Sequence, residues 1–128
     1  GKLSDKYGQS LIIILGMVLL SLGLYLLTNL TDGLFLLSAI LFGIGQGLIF
    51  PSSVALLSKS ARGNYLGAAM GFYGALRNFG KVIGPIIAGI LLSVLSYETV
   101  FNILAGTIIL ALIVFVPFWH KEKKDEKV

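Results

Sequence analysis

Four long apolar runs alternate with short polar segments along the chain. The runs cover residues 11–30, 34–57, 65–94 and 100–118. An α-helix rises about 1.5 Å per residue, so about 20 apolar residues cross the roughly 30 Å hydrocarbon core of a bilayer. The pattern therefore predicts an all-α fold, a polytopic membrane helix bundle with four transmembrane helices.

Composition supports a membrane protein over a soluble one. Apolar residues make up 56% of the chain, and a further 16 of the 128 residues are glycine, whereas soluble domains contain about 45–50% apolar residues with glycine included. The net charge of +4 lies in the short polar segments and not along one face, which disfavours nucleic-acid binding. We therefore expect the lipid bilayer, and no nucleic acid, as a partner.

The basic residues predict the topology. The five segments outside the spans carry two, none, two, none and four Lys or Arg residues in chain order. Under the positive-inside rule the first turn, the 58–64 loop and the 121–128 tail are cytoplasmic, while the turns around Asp32 and Glu98 are external. We expect a multi-pass integral protein of the cell membrane with both termini in the cytoplasm.

The third run has the least usual composition. At about 100° per residue, one i, i+4 row along this helix contains both of its charged residues: Tyr73, Arg77, Lys81 and Pro85. The adjacent row is small, and small rows in membranes favour close contact with a neighbouring helix: Gly80, Gly84 and Ala88. The opposite side is wholly apolar: Phe79, Val82, Ile83, Ile86 and Ile90.

Arg77 and Lys81 are costly in lipid. If the helix is centred in the bilayer, Arg77 lies about 10 Å inside the core and Lys81 near its centre. Each charge then costs about 2.5–3.5 kcal/mol. One interpretation is that both line a polar pathway, where they hold an anionic group or pair with a carboxylate elsewhere. The alternative is that Arg77 snorkels to the cytoplasmic surface and Lys81 forms a structural pair.

Two motifs resemble those of a known family. The glycines and proline of the third run, with Ala88 in place of a glycine, resemble the glycine-proline signature of the major facilitator superfamily, best known from its proton-coupled antiporters: Gly71, Gly80, Gly84, Pro85 and Gly89. The opening turn resembles the loop between the second and third helix of each half: Gly1, Leu3, Asp5, Lys6 and Gly8. Gln9 and Ser10 stand where that family usually has basic residues.

The resemblance also indicates which half of a transporter this is. In the amino-terminal half an arginine usually precedes a Gln-Gly pair by three residues, but here Gly43 precedes Gln46 and Gly47. We therefore expect residues 1–120 to be part of a carboxy-terminal bundle, from the end of helix eight through helix twelve. The remainder of the transporter is then an expected partner, and residues 121–128 form a cytoplasmic charged tail.

The resemblance implies a role for each motif. Gly1, Asp5, Lys6 and Gly8 would form a cytoplasmic gate, although an ordinary polar turn in which Gly8 supplies a positive φ is the plain alternative. The glycine-proline motif would let the eleventh helix bend and slide, or would serve static tight packing. Gln46, on a helix that borders the central cavity in this family, would bond substrate or a neighbouring helix. Asn78 and Asn102 carry the same two alternatives.

The predicted function is secondary active transport of a small molecule by alternating access, as proton-coupled efflux. Every acid lies in a turn or tail, which argues against a small dimeric drug exporter and requires any proton-carrying carboxylate to come from elsewhere. One His, no Cys and no carboxylate cluster argue against an enzyme, and we expect no catalytic residue, metal or cofactor. A structural or partner-binding membrane subunit that does not transport remains the alternative.

Overall fold

The computed structural model describes residues 8–29, 35–61 and 63–125, and these residues are arranged in four long helices. They are α1 (Gln9–Asn29), α2 (Phe35–Ser60), α3 (Leu66–Val94) and α4 (Tyr97–Asp125). Each is long and apolar enough to cross a membrane, and the described ranges contain no strand. The predicted all-α membrane helix bundle with four spans is confirmed.

Local chemistry explains where the later helices begin and end. A short 3-10 turn, Gly63–Tyr65, connects α2 to α3, and Gly63 has a φ of +69° that a residue with a side chain rarely adopts. Leu95 is extended and ends α3. Ser96 then caps α4, since its Oγ accepts a hydrogen bond from the backbone N–H of Thr99 at 3.4 Å.

The three prolines lie inside helices. Pro51, Pro85 and Pro117 belong to α2, α3 and α4, and each helix continues through its proline. A proline removes one backbone hydrogen bond, which transmembrane helices tolerate where neighbouring groups or small local adjustments satisfy the freed carbonyl. The prolines therefore leave four uninterrupted spans.

Helix α1 is the centre of the bundle and packs against α2 along small residues. Gly16 and Gly23 on α1 are buried and seven residues apart, and α2 presents a buried row of its own with the same spacing. That row consists of Ser38, Gly45 and Ser52. A Cβ added to Gly45 would lie 2.8 Å from the Gly16 carbonyl oxygen, and one added to Gly16 would lie 2.9 Å from the Gly45 carbonyl oxygen. The two backbones therefore touch at these glycines.

A second side of α1 packs against α4 through buried apolar residues and hydroxyl groups. Val100 and Ala105 of α4 are 1% and 4% exposed. The Ser21 hydroxyl donates to the Ala105 carbonyl at 3.5 Å, and the Thr28 hydroxyl donates to Asn102 Oδ1 at 3.3 Å. The structure thus places Asn102 in a hydrogen bond between helices.

Helix α3 stands apart from this three-helix core. It contains no buried residue, and apolar side chains along it, such as Phe79 and Val82, are 64% and 62% exposed. Its main neighbours within the described residues are α2, α4 and the Gly63–Tyr65 turn. Consequently α1, α2 and α4 form the packed unit, and α3 presents most of its surface outward.

The glycine contact between α1 and α2 makes a direct prediction. Gly45→Ala should lower the stability of the full-length protein by about 1–3 kcal/mol, because the new methyl group meets backbone atoms that cannot move aside. The measurement is the midpoint of thermal unfolding of the purified protein.

Gly43→Ala is the matched control, since it lies in the same helix with nothing within 4 Å of an added Cβ. It should be neutral or stabilising by up to about 1 kcal/mol, because alanine favours helix more than glycine does. A Gly45→Ala protein as stable as the Gly43→Ala protein would contradict the described contact.

Candidate functional site

The Arg77 side chain makes a cation–aromatic contact with a neighbouring helix. Its guanidinium carbon lies 4.0 Å from the centre of the Phe50 ring on α2. Such contacts contribute about 0.5–2 kcal/mol, which is less than the roughly 2.5–3.5 kcal/mol that a charge costs near the bilayer centre. Phe50 therefore stabilises Arg77 without neutralising it.

The same contact sets the register between α2 and α3. The two helices are joined by the short 61–65 connection, so as consecutive spans they run antiparallel. Gln46 lies four residues before Phe50, and Lys81 lies four residues after Arg77. Gln46 and Lys81 are therefore each one helical turn from the contact in the same direction, and they lie at the same height along the two helices. These residues and their neighbours in the two rows form a set that we call the α2–α3 polar seam. It consists of five residues: Gln46, Phe50, Tyr73, Arg77 and Lys81.

At its Tyr73 end, the seam adjoins a groove to which all four helices contribute residues. Tyr73 is half-buried there, and the groove has a volume of about 300 Å³. Its remaining lining is apolar apart from two hydroxyl groups: Ile13, Ser53, Leu56, Leu57, Ser60 and Phe115. Tyr73 is thus the one aromatic hydroxyl in a mainly apolar recess.

The seam is positively charged. Gln46, Arg77 and Lys81 are exposed. Among the residues whose side chains are described, the only acid is Glu98, in the first turn of α4. At least thirteen residues of helix, about 20 Å, separate Lys81 from the end of α3 that precedes Glu98. Within the described side chains, therefore, no carboxylate stands near the two charges, and no group of residues could hold a metal ion.

The glycine-proline motif of α3 has no partner helix in the described part of the chain. A Cβ added to Gly71, Gly80, Gly84 or Gly89 would meet nothing within 4 Å. Packing or sliding of this row against a neighbour thus stays a prediction. The close glycine contact occurs instead between Gly16 and Gly45, which the sequence interpretation missed, although the seven-residue spacing from Gly16 to Gly23 was a readable signal.

Most of the predicted gate motif falls outside the described residues. Gly1, Asp5 and Lys6 lie there, and their predicted roles stay predictions. Gly8 is described: it is exposed, precedes α1, and has a φ of +87°. This is the left-handed backbone expected of it as a turn residue.

Sequence reasoning also missed Phe50. The row of Tyr73, Arg77 and Lys81 follows from helical periodicity alone, and the uninterrupted α3 places these residues one turn apart. The aromatic partner on α2 depends on the register between two helices. The available signal was the four-residue spacing of Gln46 and Phe50, which puts both on one side of α2.

The fold and the seam define a polytopic α-helical membrane protein with charged residues in a spanning helix. The sequence matches the family model of the Major Facilitator Superfamily over residues 1–128, and the chain therefore belongs to that family. No solved structure matches the chain.

Curated relatives of the chain are transport and drug-resistance proteins. The riboflavin transporter RibZ of Clostridioides difficile (strain 630) is 28% identical over 128 residues, which are 99% of this chain and 28% of that protein. The quinolone resistance protein NorA of Staphylococcus aureus (strain MRSA252) is 29% identical over 126 residues, 98% of this chain and 32% of that protein. The chain thus spans about a third or less of the length of these relatives.

The two faces of α3 should differ in water accessibility if the seam is hydrated. The chain has no cysteine, so a single Lys81→Cys or Val82→Cys change introduces one reactive thiol in this region. In the full-length protein without other cysteines, a membrane-impermeant maleimide should label Lys81→Cys and leave Val82→Cys unlabelled, because thiols react as thiolates in water.

Lys59→Cys, placed at an exposed residue in the last turn of α2, is the control for reagent access from the predicted cytoplasmic side. Absence of labelling of Lys81→Cys would show that the charged row is not a water-lined face, and equal labelling of the two variants would contradict the predicted difference between the faces of α3.

Proposed function

We propose that this chain is part of a secondary active transporter that moves a small molecule across the membrane by alternating access, as proton-coupled efflux. The observation that carries the proposal is membership of the Major Facilitator Superfamily over the whole chain, combined with four helices of membrane-spanning length. The relatives are named as a transporter and a resistance protein, which points to transport and away from catalysis. Riboflavin and quinolones are therefore the first compounds to test as substrates.

The α2–α3 polar seam is the proposed substrate or ion pathway. Arg77, Lys81, Gln46 and Tyr73 supply its polar groups, and the two charges are expensive to keep in lipid. A hydrated path removes that cost, because water solvates charges that hydrocarbon cannot. The proposal is supported by the contact between Arg77 and Phe50, which places the charged row of α3 beside α2.

The open surface of α3 supports a further set of transporter helices as its partner. The chain spans only 28–32% of its relatives' length, and the glycine-proline row faces open space. In this proposal residues 1–120 belong to the carboxy-terminal half, both termini lie in the cytoplasm with 121–128 as a tail, and the cell membrane holds the protein. Any proton-carrying carboxylate belongs to the rest of the transporter.

Removal of either charge should impair transport. In vesicles that contain the full-length protein, Arg77→Ala or Lys81→Ala should reduce riboflavin or quinolone flux at least about tenfold, since loss of a charged hydrogen bond costs about 1.5–3 kcal/mol. The measurement is the initial rate of flux driven by an imposed pH gradient.

Lys59→Ala is the control for a lost positive charge, because Lys59 lies in the last turn of α2, outside the seam. Unchanged flux in both seam variants would remove the pathway role. No flux of any tested compound by the unaltered protein would favour a structural or partner-binding subunit.

The glycine-proline motif should control the balance between inward-open and outward-open states. Gly84→Leu adds a bulky side chain to the row proposed to slide, and it should shift the ratio of labelling of Lys81→Cys from the two sides of the membrane by several-fold. Ile86→Leu, a volume-conserving change on the exposed apolar face, should leave the ratio unchanged. An unaltered ratio in Gly84→Leu would contradict the hinge role.

A further inference from the structure

The contact between Arg77 and Phe50 leaves the hydrogen-bonding capacity of the guanidinium unused. A cation–aromatic contact engages the charge through the face of the ring, whereas the N–H donors of arginine point outward in the guanidinium plane. The 4.0 Å distance from the Arg77 Cζ atom to the Phe50 ring centre therefore holds the cation at the ring, and a guanidinium lying flat on that ring would keep its donor edge available.

The surroundings of this donor edge favour one class of ligand. Lys81 lies one helical turn, about 6 Å, further along α3, and the Gln46 amide lies at the level of Lys81 on α2. No described side chain near them carries a negative charge. A cation would be repelled by the two charges, and a neutral molecule would leave both without a counter-ion. An anion satisfies them.

The shape of the groups favours an anion with paired oxygens, a carboxylate or a phosphate, on a planar or apolar body, and an organic carboxylate is the simplest such ligand. The forked donors of arginine match the two oxygens of a carboxylate in a bidentate pair. The Phe50 ring is 40% exposed, so it offers apolar surface beside the charge. Tyr73, one turn before Arg77, adds another aromatic ring in the lining of the groove.

We propose that the α2–α3 polar seam is a binding site for an organic carboxylate, in which Phe50 positions Arg77 to receive the carboxylate in bidentate fashion. Lys81 supplies the second charge, and Gln46 bonds the ligand beside it. This inference rests on the proposed transport function and assigns its substrate class. Phe50 acts through Arg77 and is a positioning residue.

Benzoate and benzamide are suitable probes because they share a ring and differ in charge. The full-length protein, without other cysteines and carrying Gly47→Cys, is reconstituted in vesicles of neutral phosphatidylcholine, which supply no net negative charge from lipid. Gly47 is exposed beside Gln46 and has room for a side chain, and the rate at which a maleimide labels Gly47→Cys is then measured against the concentration of each probe. This readout needs no transport.

Benzoate should half-protect the thiol at a concentration at least about tenfold below that of benzamide, the factor expected for a charge-assisted hydrogen bond. Arg77→Gln should abolish this preference. Phe50→Leu should raise the half-protecting concentration of benzoate about threefold to tenfold, within the range of cation–aromatic contacts, and Phe50→Tyr should restore it because the ring is retained.

Phe42→Leu is the matched control for loss of a ring. Phe42 lies on the same helix, has the same 40% exposure as Phe50, and is eight residues, about 12 Å, away. It should leave protection by benzoate unchanged. If Arg77→Gln does not yield a monodisperse protein on gel filtration, Arg77→Lys decides, since it keeps the charge, loses the fork and should lower the preference for benzoate.

Equal protection by benzoate and benzamide would overturn the carboxylate site, and so would the absence of protection by either probe. An effect of Phe42→Leu as large as that of Phe50→Leu would overturn the positioning role. Continued flux of riboflavin or a quinolone alongside these results would leave the transport proposal standing. Conversely, protection by benzoate without flux of any compound would support the site and count against transport.

Discussion

The arrangement of the helices around α1 depends on one contact, in which the backbones of Gly16 and Gly45 touch. Lipid tails are as apolar as leucine, so helices in a membrane gain little from burying apolar side chains and associate through close packing. Two small-residue rows with the same spacing, one containing Gly16 and Gly23 and the other Gly45, provide that packing. With α2 held on one side of α1, the other side is left for α4.

Glycine has opposite surroundings in two helices of this chain. At Gly45 an added methyl group would meet backbone atoms, whereas at Gly84 it would meet open space. The difference follows charge: α1 bears no charged residue, while α3 carries Arg77 and Lys81. The packed core is thus assembled from helices whose described charges, where present, lie only in a first or last turn, and the helix with charges in its middle keeps a free surface.

The sequence predicted the helices well and their partners less well. Run lengths and hydropathy placed most ends within three residues of those observed, but α4 continues to Asp125, well beyond residue 118. Hydropathy reports where lipid ends, and charged residues that favour helix carry α4 further. Periodicity also placed Tyr73, Arg77 and Lys81 in one row. Phe50 and Gly45 were missed because the register between helices depends on side-chain fit, which run lengths do not encode.

The pairing of α1 with α4 has a consequence for biosynthesis. The Ser21 hydroxyl and its acceptor at Ala105 are 84 residues apart, and ribosomes add about 5–20 residues per second. On the order of ten seconds therefore pass between synthesis of the donor and of its acceptor. During that interval α2 becomes available to cover one side of α1, and the Ser21 hydroxyl can bond within its own helix, to a carbonyl one turn earlier. Of the two interfaces that α1 makes, the one with α4 therefore forms later than the one with α2, because its acceptor is synthesised later.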